Sequence, residues 1–274
     1  MKHVQKIIYI LIPYAAAELL QFYLLTFAFL FKGLVRMPDN LEILLSASVA
    51  GIVGIIFFVW YRYENPGKKA GSLRALFTTR HISLLLLLGI GCQFFFSAFM
   101  TLIRPFFEKI FSNYSQVIEK LTEGNLAVVL LYMIIIAPVS EELIFRGLIM
   151  HKAGRYYEFA YANILQAILF GLYHGNLVQG IYAALIGLIL GLVCHSLQSL
   201  IASIALHMII NASSLLVALI PDMLPAYIIS TLAGGGLMAA ALNLIYMEGK
   251  KRELIGARDS NRDSNEDGNS RISE

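Results

Sequence analysis

The chain has 274 residues, 58% of them hydrophobic, and a formal net charge of +3. Its mean hydropathy of +0.71 goes beyond that of soluble domains, which run about 45–50% apolar, and implies a polytopic membrane protein with lipid as its surroundings. The small positive charge sits in loops and tails, so there is no basic patch for nucleic acid and no nucleic-acid partner is expected.

A crossing helix needs about 20 predominantly apolar residues, and spans are predicted at 7–31, 41–61, 82–103, 126–150, 159–173, 178–196, 200–220 and 227–247. The first is too long for the apolar region of a cleaved leader and is read as a retained span. The expected fold class is therefore all-α, a membrane bundle of about eight transmembrane helices enclosing a polar cavity. Between the second and third spans, Arg62, Lys68, Lys69, Arg74 and Arg80 face a single acid, Glu64, which marks a cytoplasmic loop. Eight crossings then put both termini in the cytoplasm, and Lys2, Lys6, Lys250, Lys251 and Arg252 agree with a multi-pass protein of the cell membrane.

Three regions are expected. Residues 1–125 form an N-terminal transmembrane region, in which 104–125 alternates apolar residues with charges as an interfacial amphipathic helix would. Residues 126–247 form the core that carries the chemistry. Residues 248–274 form a polar cytoplasmic tail, with too little apolar content to build a core and expected to be disordered. Cys92 and Cys194 both lie in apolar stretches, which suggests buried thiols and neither a disulfide framework nor a paired-cysteine metal knuckle. The Gly234-Gly235-Gly236 cluster reads as a place for close helix packing.

The chemistry concentrates at Ala137-Pro138-Val139-Ser140-Glu141-Glu142-Leu143-Ile144-Phe145-Arg146, which has apolar sequence on both sides. Ionisable side chains at membrane depth cost roughly 2.5–3.5 kcal/mol each on insertion scales, so they are rare and usually functional. On a helix Glu142 and Arg146 share a face, while Glu141 is turned about 100° away. Arg146 can then neutralise Glu142 and leave Glu141 free. Two more helical pairs follow, Phe170 with His174 and His207 with Asn211, each four residues apart. Gln166 shares the face of Phe170 and His174. Glu18, with Gln21 in the first span, is expected either to hydrogen-bond across to a neighbouring helix or to line the cavity, and Asn163 and Asn243 to hydrogen-bond between helices.

Peptide hydrolysis without a nucleophilic side chain needs a base for water, a donor for the developing oxyanion and an acid for the leaving amine. Glu141 suits the base, His174 can share the water or relay the proton, and His207 and Asn211 can donate to the carbonyl oxygen. Glu-Glu-x-x-x-Arg, Phe-x-x-x-His and His-x-x-x-Asn, in that order between Glu141 and Asn211, resemble the CAAX-protease and bacteriocin-processing family of intramembrane endopeptidases. That family includes the eukaryotic type II CAAX prenyl endopeptidases, lysostaphin-resistance-type proteins and bacteriocin-immunity proteins. The resemblance implies an intramembrane endopeptidase with Glu141, His174, His207 and Asn211 catalytic, Glu142 and Arg146 supporting them, and a hydrophobic or lipidated peptide as substrate beside membrane lipids.

The family has been described both as metalloproteases and as enzymes with a Glu-activated water. No His-Glu-x-x-His is present, so a divalent metal such as zinc would have to be held by Glu141, His174 and His207. A non-catalytic protein of the same fold, acting in bacteriocin immunity or as a scaffold, is the alternative. The cavity is expected to open toward the cytoplasm. Straight spans pose a difficulty: Glu141 falls near the inner end of the fourth span, whereas His174 lies about 22 Å along the fifth. A break near Pro138 or Arg146, or a deeper start to the fifth span, would bring them together.

Overall fold

The computed structural model describes residues 3–35, 42–66, 78–112 and 125–270. Helix is the regular structure of these residues: α1 (His3–Val35), α2 (Glu42–Glu64), α3 (Thr79–Ile103), α4 (Leu126–Ala153), α5 (Phe159–Tyr173), α6 (Leu177–Ser196), α7 (Leu200–Val217) and α8 (Leu224–Ser270). Among the described residues seven helices, all of these but α5, are long and apolar enough to cross a membrane. The all-α bundle is as hydropathy predicts, but of the eight expected spans α5, with 15 residues, is shorter than a crossing helix. A 3₁₀ turn, Arg104–Phe106, follows α3, and residues 108–112 are helical again. The rest of the expected interfacial helix lies outside the described residues. The polar tail, where composition pointed to disorder, continues α8 as helix to Ser270.

Local chemistry explains several helix starts. Side chains of Thr78, Asn125, Asn176 and Ser199 accept hydrogen bonds from the first backbone N–H groups of α3, α4, α6 and α7, satisfying donors that a helix cannot pair internally. Between α5 and α6 the chain reverses through Gly175 at φ +68°, a left-handed conformation that glycine adopts without steric cost. Phe22, Phe27, Leu30, Ile55, Val59 and Leu232 are all exposed on the flanks. Apolar surface on that scale belongs in lipid, since water-soluble monomers rarely present it.

Helices α3 and α8 pack at backbone contact. A Cβ on Gly234 would come within 2.6 Å of the Phe95 backbone nitrogen and 2.9 Å of the Gly91 carbonyl oxygen, whereas one on Gly236 would meet nothing within 4 Å. Close packing is therefore the use of this glycine cluster, as its sequence suggests. Gly234→Val is expected to force the helices apart and cost about 1–3 kcal/mol, read as a lower Tm in detergent, while Gly236→Val leaves Tm unchanged.

One face of the bundle is held by ion pairs. The Glu64 carboxylate at the end of α2 accepts from Lys152 Nζ at 2.5 Å, Arg155 Nη2 at 3.2 Å, Trp60 Nε1 at 3.4 Å and Tyr9 Oη at 3.3 Å. Lys152 is only 2% exposed and also lies 3.8 Å over the Tyr9 ring. On the same face Glu248 of α8 pairs with His81 Nε2 of α3 at 2.7 Å and with Arg252 at 2.8 Å, and Arg252 donates to the Leu197 carbonyl after α6. His81 is buried although it lies near the start of its helix. We call this the Glu64 face; the opposite one carries the end of α3 at Arg104 and the start of α4 at Leu126.

The anticipated depth conflict between Glu141 and His174 does not arise. Helix α4 does not break: it runs for 28 residues to Ala153, past the predicted end at residue 150, and its last turn is anchored by Lys152. Glu141 therefore lies twelve residues, about 18 Å, from the Glu64-face end of α4, and His174 about 22 Å from the start of α5. Antiparallel packing holds the two in register, with the Phe145 ring 5.0 Å from Phe170 and 5.4 Å from Tyr173.

Candidate active site

Within α4, two stretches wind as π-helix, Tyr132–Ile136 and Leu143–Met150, on either side of Ala137–Glu142. Such segments are rare and gather at functional sites. In the first, the Ala137 N–H reaches back to the Tyr132 carbonyl. The next N–H in that ladder belongs to residue 138, a proline, which has none. The Met133 carbonyl is thereby left without a backbone partner, and Asn211 Nδ2 of α7 donates to it at 2.7 Å. Pro138 thus creates an acceptor that docks α7 against α4.

Below this point lies a fully buried cluster. Glu142 has no exposed surface, and its carboxylate accepts three hydrogen bonds: from Arg146 Nη1 at 2.7 Å, from Ser203 Oγ at 2.5 Å and from His207 Nδ1 at 2.9 Å. Arg146 Nη2 donates to the Gly187 carbonyl at 3.2 Å, and its guanidinium lies 4.5 Å over the Phe170 ring. A carboxylate and a guanidinium this deep persist because each has a partner of opposite charge and further hydrogen bonds. Arg146 is therefore a core residue and not a solvated helix end.

Glu141 faces the other way. It lines a cavity of about 720 Å³ together with Phe170, His174, His207 and Asn211, and its side chain keeps 16% exposure. Its Oε2 is 3.7 Å from His207 Nε2, too far for a direct hydrogen bond but within reach of a shared water. The His207 ring thus spans both carboxylates, Nδ1 on Glu142 and Nε2 toward Glu141. His174 Nδ1 bonds the Phe170 carbonyl at 2.8 Å. A carbonyl only accepts, so Nδ1 carries the proton and the neutral ring offers a lone pair at Nε2. Phe170 meets both imidazoles edge to face, His174 at 4.8 Å and His207 at 5.7 Å, which gives the Phe-x-x-x-His pair a packing role.

Ser203 was missed in the sequence. The signal was there: Ser203, His207 and Asn211 recur every four residues on one face of α7. Gln166 is fully buried and donates to the Gly187 carbonyl at 2.9 Å, so it braces α5 on α6. Asn163 does the same through Leu188 O at 3.0 Å. Asn243 is exposed on α8 and makes no such bond among the described residues. Gln21 lines the cavity, whereas Glu18 hydrogen-bonds Tyr14 one turn earlier on its own helix.

A family model described as type II CAAX prenyl endopeptidase Rce1-like matches residues 123–213. This stretch is an Rce1-like domain. It holds α4 through most of α7, hence all six of the polar residues above that the sequence singles out as catalytic or supporting. The match covers about a third of the chain and is a similarity to CAAX-type membrane proteases. No curated protein and no solved structure matches it.

The Rce1-like domain can be tested for a metal site on its donors. Among the described residues no three His, Cys, Asp or Glu side chains group closely enough to hold an ion, although the bond from His207 Nδ1 to Glu142 is one that a metal-ligating imidazole also makes. Glu141, His174 and His207 line one cavity without forming a three-ligand cluster among the described residues.

The walls of the cavity also show where it reaches the surface. Its floor is at Glu141, Phe170 and His207, and its rim includes the exposed residues Thr101, Arg104, Leu126 and Ser214. Among the described residues the cavity therefore reaches the surface on the Arg104 face, and the Glu142–Arg146 cluster closes the floor.

Proposed function

We propose that this chain hydrolyses a peptide bond in a hydrophobic or lipidated peptide, using a water activated by Glu141. The observation that carries the proposal is the pairing of Glu141 and His207 across 3.7 Å at the floor of the cavity, over a buried carboxylate that aims the imidazole. Water bound there donates one hydrogen to the Glu141 carboxylate and the other to His207 Nε2, which turns its lone pair toward the substrate carbonyl. Glu141 takes the proton as the oxygen adds to the carbonyl carbon. Asn211 has a second Nδ2 hydrogen beyond the one on Met133, and this donates to the developing oxyanion. The Glu141 carboxylic acid then protonates the leaving nitrogen, the C–N bond breaks, and the base is restored. His174 Nε2 accepts a hydrogen bond from the peptide N–H or passes the proton on.

The role of His207 here differs from the donor expected in the sequence. With Nδ1 given to Glu142, the neutral ring has a lone pair to offer at Nε2 and no hydrogen. No step runs through a metal ion.

Reconstituting wild type and Glu141→Gln in vesicles, with a library of hydrophobic peptides, tests the reading. Cleavage by wild type that is lost in Glu141→Gln at equal folded yield supports it. Equal cleavage by the two removes Glu141 from the chemistry, and none by either favours the immunity or scaffold alternative.

A further inference from the structure

The cavity has a direction relative to the charge on the two faces of the bundle, and this bears on which peptides can enter. Lysine and arginine are frequent on the Glu64 face: Arg62 sits at the end of α2, Arg80 at the start of α3, Lys152 and Arg155 at and just after the end of α4, and Lys250, Lys251 and Arg252 on α8, while in the sequence Lys68, Lys69 and Arg74 fall between α2 and α3. That face is one physical surface, since Tyr9, Glu64, Lys152 and Arg155 join α1, α2 and α4 through direct bonds. On the Arg104 face cations are fewer and accompanied by acids: Lys32 pairs with Glu42 at 2.7 Å, and Lys109 follows Glu108. Basic residues in short connections and near span ends stay in the cytoplasm. The Glu64 face is then the cytoplasmic one, and the opening at Thr101, Arg104, Leu126 and Ser214 lies on the other side.

We infer that the cavity takes its peptide from the extracytoplasmic side, so that its substrates are exported hydrophobic peptides or extracytoplasmic tails of membrane proteins. The substrate half of this rests on the protease reading; the direction of the opening does not. A prenylated tail on the cytoplasmic surface would meet the ionic face of Glu64 and Lys152, and beneath the catalytic floor it would meet the buried Glu142–Arg146 pair. A peptide from the opposite side reaches Glu141 through the open rim. This reverses the cytoplasmic opening expected from the sequence, where the depth of each residue was known but not the helices that surround it.

The test begins in a background with Cys92 and Cys194 replaced by serine. Single cysteines at Thr101 or Ser214 mark the rim, and at Arg62 or Lys250 the Glu64 face. A membrane-impermeant maleimide should label the first pair in intact cells and the second pair only after lysis. Labelling of Arg62→Cys or Lys250→Cys in intact cells overturns the inference, whatever the rim does. In vesicles whose orientation is scored by these same cysteines, peptide added on the rim side should be cleaved and peptide on the Arg62 side spared; the reverse also overturns it. If labelling follows expectation and neither side is cleaved, the protease reading fails and the opening stands.

Discussion

Arg146→Ala is expected to lower folded yield more than any change in the cavity wall. The guanidinium is the cation beside the fully buried Glu142, and removing one member of a buried pair costs about 3–5 kcal/mol because the other charge is left uncompensated. Glu142→Ala should be comparable, since Arg146 would then keep only the Gly187 carbonyl and the Phe170 ring. The double change should recover part of the loss. Recovery stays incomplete because His207 Nδ1 loses its acceptor, while Ser203 Oγ keeps the Leu190 carbonyl at 3.2 Å, and a buried unpaired donor costs about 1–3 kcal/mol. Glu141→Ala, by contrast, removes a carboxylate with no hydrogen-bond donor on it among the described residues, so fold should be kept while activity goes. Thermal melts in detergent of these four variants make the comparison. If Glu141→Ala destabilises as much as Arg146→Ala, the two glutamates do not divide the work.

Loss of His207 should show in both activity and stability. His207→Ala removes the group that orients the water and one of the three donors on Glu142. A positioned general acid or base is worth about 10²–10⁴-fold in rate, so cleavage should fall by that order; the lost bond to a charged group should cost about 1.5–3 kcal/mol. Ser203→Ala separates the two effects. It removes another of the three donors but touches no water, so Tm should fall while kcat changes far less than in His207→Ala. Equal kcat losses in the two variants would mean that His207 acts only by holding Glu142.

What the sequence determined by itself is what depends on neighbours along one helix. The spans were legible because the cost of placing each residue in lipid is local, and all the helix ends but that of α8 moved by only a few residues. The split between Glu142 and Glu141 was legible because positions four apart share a helix face, and the structure keeps it: Arg146 bonds Glu142, and Glu141 faces the cavity. The same spacing held Ser203 in plain view beside His207, but a serine in an apolar helix has many uses until its partner is known. Tertiary structure decided the rest. Glu64 and Lys152 are 88 residues apart in the chain, and no periodicity links them. The full length of α4 and the use of Asn211 to satisfy the Met133 carbonyl depend on the relative heights of separate helices. So does the side on which the cavity opens, because an opening belongs to the gap among several helices and to none of them alone.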